Sequence, residues 1–524
     1  MIAKFSRLAF GLTIALFGAA PVIAQEPPAS TNAPSLAAPP ARAQRPMRAR
    51  DETGAPAEPS KAQAGEGLKP LPADSTTKQS VSLADRSLNF KAIVATIRIN
   101  NEKGAPQADV VTTAYLLDGA DPRKRPVTFV FNGGPGAGSA WLQLGAVGPW
   151  RLPMSGLSPS SPPNLVENEE TWLDFTDLVF IDPPGTGYSR IVAQDEEARK
   201  ELWSVNGDIE ALSVVVRRWL ADNDRMISPK YVLGESYGGF RGPRLAEALA
   251  TQQGVGLNGL VLISPALDFS ASEPFYLVAR LPSFAAAFRE RRGKVTREDM
   301  ADVEQYAGHD YLIDLLAGPG DAAATARIVD RVSALTGLDR ALVKQLDGRI
   351  AKNAFQREFD RAEGKVTAFY DATVTAYDPE PSDYFGRWLD PIAEGFAAPF
   401  TSAIVELYND RLGWKTDARY ELTNEAVERG WSWGAPARPP ESLGALRRML
   451  ALDPNFKVLV FHGLTDLQTP YFGTQLQLRQ IPDFGPPGRL TLKVYGGGHM
   501  LYSRDESRKA LREDARKLID GARS

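Results

Sequence analysis

The sequence predicts an α/β fold: a central, mostly parallel sheet with helices on both faces and an inserted helical lid domain. Three features predict it. Six short apolar runs, "VTFVF", "DLVFID", "YVLGES", "GLVLIS", "KVLVFH" and "LTLKVY", each end in a polar or Gly-rich loop, as buried parallel strands do. Between the second and third lies "DIEALSVVVRRWLADN", where Ile209, Leu212, Val215, Val216, Trp219 and Leu220 recur at helical spacing and make one apolar face. Strands alternating with helices argue for an open sheet covered on both sides. From residue 273 to 441 the strand pattern gives way to helical stretches, with "ADVEQYAGHDYLIDLLAG" and "ALVKQLDGRIAKNAF" the plainest. That stretch falls between two sheet strands, so it reads as an insertion folding over the strand ends, or as a helical domain with no part in the site.

The remaining segments fall around this centre. Lys4 and Arg7 precede the apolar stretch Leu8 to Ala20, and Val22-Ile23-Ala24 offers small residues for cleavage. Residues 1–24 are therefore expected to be a signal peptide. Pro21 and the short apolar run argue against a retained anchor. Residues 25–84 are rich in Pro, Ala, Ser, Thr and Gln and are expected to be a linker with too little apolar surface to fold. The basic patch "ARAQRPMRAR" within it reads as a solvated tail. The core is expected at 85–272 and 442–524, around the lid at 273–441. It opens with two alternating strands, "FKAIVATIRIN" and "DVVTTAYLLDG", joined through Gly104 and Pro106 as an antiparallel sheet edge.

Composition excludes several chemistries. The 524 residues carry a formal charge of −4 and 43% hydrophobic residues, which gives no reason to expect a nucleic-acid or anionic-membrane partner. There is no cysteine. Disulfides, thiol catalysis, thiolate metal sites and a lipid-modified N-terminal cysteine are all excluded.

In "VLGESYGGF" a strand runs into Gly234-Glu235-Ser236-Tyr237-Gly238, with a helix expected from about Tyr237. That is a G-x-S-x-G turn, which lifts a serine hydroxyl above a parallel sheet; an ordinary Gly-rich strand-to-helix turn is the alternative. A serine nucleophile needs a base and an acid to orient that base. Of three histidines, His499 lies in "VYGGGHMLY", a glycine loop after the last strand. His462 reads as a packed strand-end residue and His309 as a surface residue of the insertion. Asp466 follows "KVLVFHGLT", and the order Ser236, Asp466, His499 is that expected of α/β-hydrolases. Asp268, after "GLVLISPAL", is the alternative acid. "FNGGPGAGS", residues 131–139, has glycines that let backbone N–H groups approach a ligand where an oxyanion donor is needed. "IDPPGTGYSR", residues 181–190, reads as structural support.

Together these segments resemble the serine carboxypeptidases of the α/β-hydrolase superfamily. Asn132 to Gly136, Asp182 to Ser189, Gly234 to Gly239, Asp466 and Gly498-His499-Met500 stand in that family's order. The resemblance implies that Gly134 and Tyr237 supply the oxyanion hole. It implies too that Asn132, the Gly133 amide and Glu235 bind a substrate's terminal carboxylate, with Glu235 donating when protonated. The substrate would be a peptide or protein C-terminus, cleaved at acidic pH by a periplasmic or secreted enzyme with no cofactor and no metal. Departures cluster at the carboxylate end: Val130, Ala137-Gly138-Ser139, and "LQTPYFG" after the aspartate. Three readings follow: carboxypeptidase, esterase or acyltransferase with the same serine, and an inactive scaffold that only binds.

Overall fold

The computed structural model describes residues 69–382 and 390–521. The signal peptide expected at 1–24 and most of the linker expected at 25–84 lie outside them. The end of that linker requires correction, because Ser75–Ser82 is a strand, β1. It pairs antiparallel along its whole length with β2, from Ser75 opposite Val94 to Ser82 opposite Ser87. Its residues are polar because one face is wet. Val81 is fully buried, and the Ser75 hydroxyl donates to the Leu412 carbonyl at 2.7 Å. Composition reads such a segment as linker, whereas a backbone ladder holds it.

Nine further strands complete a ten-stranded sheet: β2 (Ser87–Asn100), β3 (Pro106–Leu117), β4 (Val127–Phe131), β5 (Asp177–Ile181), β6 (Arg190–Ile191), β7 (Lys230–Glu235), β8 (Gly259–Ile263), β9 (Lys457–Gly463) and β10 (Leu490–Tyr495). Their spatial order is β1-β2-β3-β5-β4-β7-β8-β9-β10, with β6 paired to β3. The first three strands and their junction with β5 are antiparallel, and from β5 to β10 every pairing is parallel. Parallel neighbours bring the loops after β4, β5, β7, β8, β9 and β10 to one edge, where open α/β sheets place their ligands.

The central strands are buried on both faces, and alternate residues choose the face. Val130, Phe180, Leu233, Ile263 and Phe461 join one core with Leu511, Ala515 and Ile519 of the last helix. Their neighbours Phe129, Val179, Val232, Leu262 and Val460 join the other. That second core takes α1 (Val205–Asp222) and α2 (Tyr237–Gln252). All six apolar residues expected on the face of α1 are buried there, each worth about 1.5–3 kcal/mol when fully removed from water. The last run, "LTLKVY", is an outer strand with a partly exposed pattern, not a buried one.

Between β8 and β9 the chain is mainly helical, opening with α3 (Glu273–Glu290). Its own core, including Leu281, Phe284, Val303, Val329 and Phe355, closes onto Leu464, Leu467 and Phe472 beside the strand ends. "ALVKQLDGRIAKNAF" is not one helix: Asp347 and Gly348 take φ of 49° and 68° and split it. The insertion also does more than cover strand ends. Helix α4 (Pro391–Glu406) packs into the sheet's first core through Phe400, whose ring lies 4.7 Å from that of Trp141.

Deleting residues 69–84 removes the β1 ladder and uncovers part of β2. The melting temperature is expected to fall by roughly 5 °C or more. A calorimetric scan of the deleted protein that matched the full chain would mean that β1 adds nothing to the sheet.

Candidate active site

Strand β7 runs two residues further than the sequence suggests, to Glu235, and α2 begins at Tyr237. Ser236 alone makes the turn, with φ 58° and ψ −119°. For a non-glycine residue this is a strained conformation. Its neighbours must be small. A Cβ on Gly234 would meet the Gly238 carbonyl oxygen at 2.1 Å, and one on Gly238 would meet the Phe131 carbonyl oxygen at 2.6 Å. Glu235 and Tyr237 are buried while Ser236 stays partly exposed between them.

Asp466 and His499 meet as expected. His499 Nδ1 lies 2.8 Å from Asp466 Oδ2, and both residues are buried. The pairing assigns the proton to Nδ1 and leaves Nε2 as the acceptor. Asp466 Oδ1 accepts from the backbone N–H groups of Gln468 (2.8 Å) and Thr469 (3.0 Å). The Thr469 hydroxyl lies 2.7 Å from Asp466 Oδ2 and 2.9 Å from the Ser264 carbonyl. Behind the imidazole, the Ser264 hydroxyl donates to the His499 carbonyl at 2.8 Å, and the Tyr370 ring lies 5.0 Å from the imidazole ring. Burial disfavours the imidazolium, but the charge and hydrogen bond of Asp466, with Glu235 nearby, outweigh it and raise His499 above its ordinary pKa.

None of the alternatives is hydrogen-bonded to Ser236 or to the Asp466 carboxylate among the described residues. Asp268 caps its own turn by accepting from Ser270 N–H at 2.7 Å. His462 is fully buried, and that burial pushes it down to about 4. His309 is hydrogen-bonded to the Gln305 carbonyl of its own helix at 2.8 Å.

The loop after β4 packs directly on the turn. A Cβ on Gly133 would lie 2.6 Å from Tyr237 N and 2.8 Å from Ser236 Cβ, so glycine is required for the approach. This brings Gly133 and Gly134 beside the start of α2, where the first N–H groups have no partner within the helix. Asn132 Nδ2 donates to Glu235 Oε2, and Tyr502 Oη donates to Glu235 Oε1 at 2.9 Å. Burial pushes the Glu235 carboxyl up to about 7, although His499 and the Tyr502 and Asn132 hydrogen bonds pull the other way. Asn132, Gly133 and Glu235 thus converge on one side of Ser236.

The particular partners of several supporting residues were not legible beforehand. Asp182 accepts from the Ser139 N–H and hydroxyl, both at 2.7 Å, and so ties the "IDPPGTGYSR" loop to "FNGGPGAGS". The departure at Ala137-Gly138-Ser139 has its reason here: a Cβ on Gly138 would press on Tyr420 Oη at 3.0 Å. Arg241 forms a buried pair with Asp208 at 2.7 Å and donates to the Asn132 carbonyl at 2.9 Å. Tyr502 comes from the far C-terminus. Nothing in its local sequence marks it except its place three residues after His499.

A strained serine at a strand-to-helix turn, with a buried Asp–His pair on the same sheet edge, fits the α/β-hydrolase fold. Residues 115–309 match the family model described as serine carboxypeptidase. Over that stretch the chain resembles the serine carboxypeptidase family. It is 22% identical over 367 residues to the pheromone-processing carboxypeptidase KEX1 of Yarrowia lipolytica, covering 70% of this chain and 54% of the relative. It is 26% identical over 164 residues to serine carboxypeptidase-like 2 of Arabidopsis thaliana, covering 30% of this chain and 36% of that one. The chain thus spans about half, or less, of the length of these curated relatives. The crystal structure of Kex1Δp, a prohormone-processing carboxypeptidase from Saccharomyces cerevisiae, superposes with a TM-score of 0.54 at 16% identity. It covers 82% of this chain and 91% of that one, and shows a shared fold.

Asp466→Asn disturbs the imidazole's tautomer, a change worth roughly ten-thousand-fold in turnover in triads of this kind. Labelling of Ser236 by a fluorophosphonate should slow sharply in that variant and stay near wild type in Asp268→Asn. The reverse ranking would move the acid to Asp268.

Proposed function

We propose that this chain is an exported serine-type carboxypeptidase that removes a C-terminal residue through an acyl-enzyme. Ser236 Oγ attacks the scissile carbonyl and His499 Nε2 takes its proton, while Asp466 holds the imidazole. The Gly134 and Tyr237 N–H groups receive the oxyanion. His499 returns the proton to the departing amine, and water then hydrolyses the ester by the same route in reverse. Asn132, the Gly133 amide and Glu235 hold the terminal carboxylate of the leaving residue.

One observation carries the reading from hydrolase to carboxypeptidase. Glu235, directly before the nucleophile, is buried beside Asn132 and titrates at about 7. A protonated carboxyl there can donate to a substrate carboxylate, whereas an esterase acting on neutral substrates has no use for it. Export rests on the leader expected at residues 1–24, and no helix among the described residues is long and apolar enough to cross a membrane.

The pH dependence follows from two groups. Free-acid peptides need Glu235 protonated, so their binding weakens as pH rises through about 7. Turnover needs His499 neutral, so it falls at low pH. For a blocked dipeptide with a free C-terminus, kcat/KM should be bell-shaped, with apparent pKa values belonging to the coupled pair. An ester of the same peptide should show only the rising limb. Glu235→Gln keeps a donor at every pH and should remove the falling limb. Identical profiles for acid and ester, unchanged in Glu235→Gln, would put the esterase reading first. Ser236→Ala should abolish turnover of both substrates in a protein that remains folded.

Stability carries the same signature. The folded pKa of Glu235 lies above its ordinary value of 4.5. Its contribution is therefore complete below about 4.5 and is lost as pH rises through about 7. Between pH 5 and 8, on the order of the window set by those values, the melting temperature of Glu235→Gln should change less than that of the wild type.

A further inference from the structure

Two cations of the insertion reach the loop that carries Asp466. Lys352, at the start of the short helix Lys352–Glu358, donates from Nζ to Gln468 Oε1 at 2.6 Å. Arg280, on α3, donates from Nε to the Leu467 carbonyl at 3.4 Å. Leu467 and Gln468 are the two residues directly after Asp466. Both cations rest on aromatic faces: the Lys352 ammonium is 4.1 Å from the centre of the Phe369 ring, and the Arg280 guanidinium is 5.1 Å from that of Tyr276.

Neither cation forms an ion pair among the described residues; their contacts are neutral acceptors and rings. The nearby carboxylates are committed elsewhere. Asp390 accepts from the backbone N–H groups of Phe369, Tyr370, Ile392 and Ala393. Asp466 is taken up by Gln468, Thr469 and His499. Two partly buried like charges lie close together, and burial together with Arg280 lowers Lys352 to about 8. Such a pair is unfavourable until an anion neutralises it, and a desolvated charge-assisted bond to a carboxylate is a strong one.

The placement assigns a side. Glu235 lies with Asn132 and Tyr502, while the cations lie with Leu467, Gln468, Phe369 and Tyr276. The two groups therefore share none of these contacts. We propose that Lys352 and Arg280 recognise an acidic side chain, Glu or Asp, on the residue whose carbonyl Ser236 attacks. The assignment to the acyl side rests on the carboxypeptidase reading, in which Glu235 holds the leaving residue.

The test compares N-blocked X-Leu dipeptides with X as Glu, Gln or Lys, together with the N-blocked X methyl esters. Glu should exceed Gln in kcat/KM by about tenfold, the equivalent of 1.4 kcal/mol, with Lys slowest. In Lys352→Gln with Arg280→Gln the Glu-to-Gln ratio should fall to about one, the value with no charge recognition. If esters are turned over but free-acid dipeptides are not, the carboxypeptidase reading fails while the ester ratio still decides this proposal. If neither is turned over, binding of N-acetyl-Glu against N-acetyl-Gln to the Ser236→Ala protein makes the same comparison. Equal values for Glu and Gln in the wild-type protein overturn the proposal, whatever the variants do. So does a preference for Glu that survives the double substitution, and so does a general preference for free acids with no effect of X.

Discussion

The left-handed turn at Ser236 is the constraint on which the rest of the site depends. A side chain held at φ 58° is costly, by about 1–3 kcal/mol for a residue of this kind. Only well-anchored surroundings sustain it. The anchor is the parallel sheet: β7 pairs on both sides, and Ser236 N–H still reaches the Ile263 carbonyl of β8 at 3.0 Å. The turn in turn dictates glycine at 133, 234 and 238, because backbone passes through the space a Cβ would fill. One strained residue thereby explains much of the glycine content of two loops separated by a hundred residues.

Two buried acids flank that turn with opposite surroundings. Asp466 is met by two backbone N–H groups, a hydroxyl and the imidazole. Glu235 is met by one amide and one phenol, and burial dominates its titration. The same functional group can thus orient a base at one position and act as a proton-bearing donor at the other. The division is set by what is packed around each carboxyl.

The insertion is integral to this arrangement. Its first part builds a separate core against the Asp466 loop, and α4 fills the central core beneath the Asn132 loop. Its last part threads past the site, where Asn424 N–H donates to the Gly136 carbonyl at 2.8 Å. Tyr420, Glu421 and Leu422 run against Gly138 and Gly187.

By itself the sequence determined the strand pattern of the parallel sheet, the apolar face of α1, the Ser236 turn, and the order Ser236, Asp466, His499. These are local properties. Period-two burial, helical spacing and the steric demand for glycine are written in neighbouring residues. What the tertiary structure alone decided is the set of contacts made across long separations. It turned polar residues 75–82 into a sheet strand and split a helix-like run at Asp347. It set Tyr502 against Glu235, Arg241 beneath Asn132, and Lys352 and Arg280 beside Asp466. None of these has a local signature, because a side chain's partner depends on the path of the chain between them. The pKa of Glu235 belongs to the same class, since burial is a property of the assembled core and not of the residue.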